Sequence, residues 1–229
     1  PPILRKNYGS CGRLYMIKVK LCGLRRVEDI IAVNHLRPDF AGFVFAPGKR
    51  KVTPELARAL RKSLKPPVRA VGVFAGFSAA ETAAIAEWSG MDIVQLHGEE
   101  DAEYIKTLRM MLPSGYEIWK AAHVRTSEDI QTAVATGADR LLLDAFSPDA
   151  IGGTGTSFNW DIIRECEIPV PFLVAGGLSA DNVADAVRTA QPYGVDVSSG
   201  IETGGLKDAA KMAQFVWAAR GQQAQLDEN

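Results

Sequence analysis

From Met16 onward, short apolar runs alternate with stretches whose apolar residues recur at helical spacing. That alternation predicts a parallel sheet covered by helices. The apolar runs predict strands over about 17–22, 40–46, 68–74, 92–96, 117–122, 140–144, 170–175 and 194–197. Between them, Val27 to Leu36 shows helical spacing, and Thr53-Pro54-Glu55 opens a helix with an N-cap, a proline at N1 and an acid in the first turn. Ser78 to Glu81 reads as a capping box before a helix running through Trp88, and the helix of 127–136 is closed by Gly137. A helix is expected to begin near Phe158, another over Asp181 to Thr189 capped by Ser179, and a last one over Lys207 to Ala219.

Eight such units in about 205 residues, without an interrupting domain, predict one compact (β/α)₈ barrel over residues 16–220. A doubly wound sheet is the alternative, and it requires a reversal of strand order. Residues 1–15 carry basic residues, no acidic ones and no periodicity, and are expected to be an extension outside the fold. Residues 221–229, rich in Gln and acidic side chains, are expected to form a frayed tail.

Composition narrows the function classes. An apolar content of 47% supports a large core, and 26 basic against 27 acidic residues leave a net charge of −1 without a block of like charge. Nucleic acid is therefore not an expected partner. Uninterrupted apolar runs fall short of the ~18–20 residues that cross a bilayer, so no membrane association is expected. The three cysteines, Cys11, Cys22 and Cys166, are widely spaced and lack a C-x-x-C pair or a histidine cluster. No metal site is expected, and a reducing cytoplasm suits this usage.

In a barrel, the carboxyl ends of the strands converge on one face, where ligands bind. Here those ends carry Cys22, Arg50 in the second loop, His97, Asp144, Gly176-Gly177 and Ser198-Ser199-Gly200. After Asp144 comes a glycine-dense loop, Gly152-Gly153-Thr-Gly155, whose spacing fits neither the dinucleotide fingerprint nor the P-loop. It reads either as a ligand-holding loop or as an ordinary βα connection. Loops after strands seven and eight are frequent phosphate sites, which points to a small phosphorylated substrate. Cys22 and Asp144 stand on opposite sides of the ring, placed as general base and general acid, although a cysteine ending a strand is also commonly an inert core residue. Arg50 suits a substrate carboxylate, or belongs to a solvated basic loop with Lys49 and Lys51. His97 reads as a structural hydrogen-bonding residue, whereas His35 and His123 have no partner spacing.

Several motifs taken together resemble the phosphoribosylanthranilate isomerase family: Lys20-Leu-Cys-Gly23, Gly42-Phe-Val-Phe45, Val71-Gly-Val-Phe74, Val94-Gln-Leu-His-Gly98, Leu142-Leu-Asp144 with Gly152 to Gly155, Ala175-Gly-Gly-Leu178 with Asn182, and Gly194 to Glu202 followed by Lys207-Asp208. The resemblance spans Ile17 to Val216. It implies an Amadori rearrangement of N-(5-phosphoribosyl)anthranilate in tryptophan biosynthesis, without a cofactor. By position, Asp144 matches the general acid and Cys22 the general base. Arg50 matches the arginine near the anthranilate carboxylate, while Gly153, Gly176, Gly177, Ser198, Ser199 and Gly200 fall in the substrate-binding loops. The expected partner is a small phosphoribosyl substrate, and the expected assembly a monomer or homodimer.

The chain departs from the family pattern in two places. Its loop Ala46 to Lys51 is one residue shorter than the usual Ser-x-Arg version, and His123 stands where arginine is common. Two rival readings are a histidine-pathway phosphoribosyl isomerase, expected to carry a carboxylate in place of Cys22, and a non-catalytic barrel that binds phosphorylated metabolites.

Overall fold

A computed structural model describes residues 16–144 and 161–221. Its eight parallel strands are β1 (Lys18–Cys22), β2 (Phe40–Val44), β3 (Arg69–Phe74), β4 (Ile93–Leu96), β5 (Glu117–His123), β6 (Arg140–Asp144), β7 (Phe172–Ala175) and β8 (Gly194–Val197). Each pairs with the next, and β1 pairs with β8 in the register Lys20↔Asp196, so the sheet closes as a barrel. The doubly wound alternative is thereby excluded. The helices are α1 (Val27–Leu36), α2 (Pro54–Ser63), α3 (Ala79–Ser89), α4 (Ala102–Met111), α5 (Ser127–Ala135), α6 (Asp161–Glu165), α7 (Val183–Ala190) and α8 (Ala209–Gly221). None of them is long and apolar enough to cross a membrane.

Side-chain alternation along each strand builds two separate interiors. One set, including Val19, Leu21, Phe43, Phe74, Leu96, Leu141, Leu143, Val174 and Val195, packs against helix residues such as Ile30, Leu60, Ala86, Leu108, Ile130, Val183 and Phe215. The other fills the barrel. At its amino-terminal end Phe40, Val71, Ile93, Trp119 and Leu173 make a separate apolar plug, with Phe40 set edge-on to Trp119 at 4.9 Å. Below the plug, Glu117 accepts hydrogen bonds from Arg69, from Arg140 Nε at 2.8 Å and from Trp119 Nε1 at 2.9 Å. The Arg140 guanidinium also lies 4.5 Å from the centre of the Tyr193 ring. Burial alone raises the pKa of the Glu117 carboxyl, but bonds from Arg140, Arg69 and Trp119 outweigh it and bring the value down to about 2.

Helix ends follow the chemistry of their residues. Thr53 Oγ1 accepts from the Leu56 amide at 3.2 Å to start α2. Ser78 and Glu81 form the reciprocal box that starts α3, with bonds of 2.8 and 3.3 Å. Gly137 follows α5 at φ +72°, a left-handed conformation that glycine adopts without a Cβ penalty.

Three helix boundaries differ from the expected ones. α7 begins at Val183 instead of Asp181, because the Ser179 amide bonds Asn182 Oδ1 at 2.8 Å and Asn182 Nδ2 bonds the Gly177 carbonyl at 3.0 Å, which fixes a turn there. α8 begins at Ala209 instead of Lys207, because Leu206–Lys207 (β10) pairs antiparallel with Glu202–Thr203 (β9). α8 also runs through Gly221, one residue into the stretch expected to be tail. The expected helix start near Phe158 and the N-terminal extension lie outside the described residues.

Candidate active site

At the carboxyl ends of the strands a cavity of about 340 Å³ opens inside the barrel. It is lined by Cys22, Val44, Val73, Gln95, His97, Leu142, Asp144, Ala175 and Asp196, and by residues of the second, seventh and eighth loops. The inward positions of the strands thus carry an apolar plug at one end and a mixture of polar and small apolar groups at the other.

Cys22 is buried at the end of β1. Burial pushes its thiol up, Lys20 and Lys207 pull it down, and Asp196 opposes them; the net direction is up. Lys20 is fully buried, and its Nζ lies 3.0 Å from Asp196 Oδ1. On the other side of the cavity, Asp144 sits at the end of β6 with its Oδ2 3.8 Å from His123 Nδ1. His123 is paired in register with Asp144, and its ring stands edge-on to His97 at 5.4 Å. His97 hydrogen-bonds Gln95 Nε2 through Nδ1 at 3.3 Å, and burial lowers its pKa while Asp144 works in the opposite direction. His97 therefore faces the cavity as well as making the structural bond expected of it, and His123, to which the sequence attached no role, joins the acid side. Gln95 Oε1 is buried without a hydrogen-bond partner among the described residues. An unpaired buried acceptor in a cavity wall is a natural site for a ligand hydroxyl.

The second loop brings Arg50 to the rim, where Nε and Nη2 bind Glu202 Oε1 and Oε2 at 2.7 and 2.9 Å. One edge of the guanidinium is thus taken by Glu202, a pairing not foreseen from the sequence. Lys207 Nζ binds the same Glu202 at 2.7 Å and the Ser198 carbonyl at 2.8 Å. Hydrogen bonds from Arg50 are the main cause holding the Glu202 carboxyl down to about 2, with Lys207 adding to them.

Gly176, Gly177, Ser198 and Ser199 line the cavity together. Gly176 and Gly177 have φ of +91° and +60°, left-handed conformations suited to glycine. At Gly200 a Cβ would stand 1.9 Å from the Leu178 carbonyl oxygen, so the seventh and eighth loops touch through backbone. Gly153 lies outside the described residues. Among the described residues no three His, Cys, Asp or Glu side chains group as metal ligands.

The model of one family, N-(5'phosphoribosyl)anthranilate (PRA) isomerase, matches residues 19–218. The chain belongs to the phosphoribosylanthranilate isomerase family. A relative of that name from Caldanaerobacter subterraneus is 41% identical over 206 residues, covering 90% of this chain and 99% of its own. The crystal structure of phosphoribosyl anthranilate isomerase from Thermotoga maritima superposes with a TM-score of 0.79 at 33% identity, covering 90% of this chain and 100% of its own. Another crystal structure of the same name, in complex with reduced 1-(o-carboxyphenylamino)-1-deoxyribulose 5-phosphate, gives 0.76 at 31% identity with the same coverage. The family assignment agrees with the resemblance carried by the strand-end motifs.

Lys20, Gln95, Asp196, Glu202 and Lys207 complete the site, and sequence reasoning assigned none of them a role. The signal was present for one of them. Lys20 lies two residues before Cys22 in a run that otherwise reads as a buried strand, and alternation puts both side chains on one face.

Proposed function

We propose that this isomerase rearranges N-(5-phosphoribosyl)anthranilate to 1-(2-carboxyphenylamino)-1-deoxyribulose 5-phosphate with Asp144 as general acid and Cys22 as general base. The observation that carries this reading is that one cavity holds both groups, on strands β1 and β6, beside loops with backbone laid open by glycine. The phosphate is assigned to the loops of Gly176-Gly177 and Ser198-Ser199-Gly200, where close backbone and hydroxyl donors favour an anion. That placement leaves the anthranilate carboxylate for Arg50 and its basic neighbour Lys49 at the rim.

Asp144 gives its proton to the furanose ring oxygen as the C1–O bond breaks, and the nitrogen lone pair forms a cationic Schiff base. The positive nitrogen acidifies the C2 proton, which passes to the Cys22 sulfur while the C2–H electrons make the C1=C2 bond of an enolamine. Protonation at C1 and loss of the C2 hydroxyl proton complete the ketone. The iminium nitrogen is the electron sink, so the chemistry needs no cofactor. A soluble small-molecule reaction of this kind fits a reducing cytoplasm, which keeps the Cys22 thiol reduced.

The test follows freshly formed phosphoribosylanthranilate by loss of its fluorescence, for wild type, Cys22→Ser and Asp144→Asn. Each variant is expected to lose about 10²- to 10⁴-fold in rate while retaining product binding. Turnover of a phosphoribosyl imidazole carboxamide, with none of phosphoribosylanthranilate, would move the chain to the rival histidine-pathway chemistry. Full activity in Cys22→Ser would remove the base assignment.

A further inference from the structure

We propose that Lys20 is a positioning residue for proton abstraction: from inside the barrel its ammonium, on the same strand face as Cys22, stabilises the thiolate, while Asp196 limits that effect. The inference rests on the reading of Cys22 as the base. Strand alternation places Lys20 and Cys22 on the same inward face, and the closing register places Asp196 directly beside Lys20. Lys20 has 0% exposure and Asp196 8%, so both charges are withdrawn from water. A lysine ammonium has three donors. One goes to Asp196 Oδ1 at 3.0 Å, and the charge of Lys20 pulls the Cys22 thiol down against the effect of burial.

A buried ion pair adds little net stability compared with well-packed apolar residues. An inward apolar residue would fill this position in the barrel without the cost of desolvating a charge. The pair is better explained by its action on the thiol beside it, which both charges influence.

Several other charges face the sulfur. From the eighth unit come Asp196 and Lys207, and from the second loop Arg50, which Glu202 largely neutralises. Across the cavity stand His97, whose titration is itself coupled to Lys20 and Asp196, and Asp144 with His123 beside it. Among these groups, Lys20 is the cation on the same strand face as Cys22 and the one that pulls its thiol down most. Its positive charge raises the thiolate fraction, and the adjacent negative charge of Asp196 keeps the sulfur basic enough to take a carbon-bound proton. Too stable a thiolate would be a poor base.

The two partners therefore act on the sulfur with opposite sign, which separates an electrostatic role from a merely structural one. In a Cys11→Ser/Cys166→Ser background, the pH dependence of iodoacetamide alkylation reports Cys22 alone and needs no substrate. Lys20→Met is expected to raise the alkylation midpoint by about one pH unit or more, and Asp196→Asn to lower it. The acid limb of kcat should move in the same direction as each midpoint. Lys20→Arg, which keeps the charge, should stay nearer to wild type than Lys20→Met, and it supplies the comparison if the methionine variant folds poorly.

The proposal is overturned if Lys20→Met and Asp196→Asn move the midpoint in the same direction. It is overturned equally if Lys20→Met or, should that variant fail to fold, Lys20→Gln leaves midpoint and acid limb at wild-type values. A fully active Cys22→Ser would instead break the base assignment while leaving the alkylation result intact, so the two failures can be told apart.

Discussion

The two ends of the barrel interior solve the same electrostatic problem to different purposes. At the amino-terminal end Glu117 gathers Arg69, Arg140 and the Trp119 indole beneath an apolar plug. At the carboxyl end Glu202 gathers Arg50 and Lys207 beside an open cavity. Both carboxyls are held down to about 2 by their cationic partners. Below, the charges are half-buried against packed aromatic surface, with no cavity beside them among the described residues. Above, the same kind of cluster borders the cavity that Arg50 lines, where the proposed substrate would lie. What separates structural from functional charge here is the neighbouring volume, since the chemistry of the pairing is shared.

The contrast is broken most strongly by variants that act at one end alone. Asp144→Asn, at the open end, should lower the isomerisation rate by about 10²- to 10⁴-fold with a melting temperature close to wild type, as shown by parallel kinetics and calorimetry. Trp119→Ala, in the plug, should cost about 3–5 kcal/mol in chemical denaturation, while the protein that remains folded keeps its kcat. A large kcat loss in that second variant would mean that the plug also shapes the cavity.

Smaller changes sharpen the comparison. Glu202→Gln releases one half of the clamp on Arg50, and KM is expected to rise about tenfold with kcat largely kept, as follows from losing uniform binding. Glu117→Gln should alter the acid response instead. A carboxyl held below its unfolded value contributes stability that is present above about pH 4.5 and is lost as pH falls toward about 2. Wild type should therefore lose stability across that window, and Glu117→Gln should show a shallower loss with lower stability at neutral pH. Equal slopes in acid unfolding curves of the two proteins would remove Glu117 from this role.

The barrel was legible because its rules are local. Apolar runs of four to seven residues, Thr53-Pro54, the Ser78/Glu81 box and Gly137 each announce an element or its end within a few positions. That Cys22 and Asp144 line one cavity was legible for a related reason: once strands are recognised, their carboxyl ends are known to meet. Boundaries failed where a side chain made a competing bond, as Asn182 does ahead of α7, or where an unannounced hairpin consumed Lys207.

The supporting charges were hidden for a different reason. Arg50 and Glu202 are 152 positions apart, and Lys20 and Asp196 are 176 apart, so neither pairing has a local signature. A lysine inside a strand also reads as an edge or solvated position until closure of the sheet turns it inward. The contact of Gly200 with the Leu178 carbonyl is likewise visible only when the seventh and eighth loops are seen against each other.

The closing seam has a consequence for the order in which the enzyme comes into being. Because β1 joins the sheet through β8, the first barrel strand to be made waits for the eighth before its outer edge is covered. A nascent chain that has produced seven strands already possesses Cys22 and Asp144, yet it lacks Asp196, Glu202 and Lys207, and Lys20 has no buried counter-charge. The full set of cavity charges is therefore assembled only once β8 has been made, in the same step that removes the barrel's two exposed sheet edges.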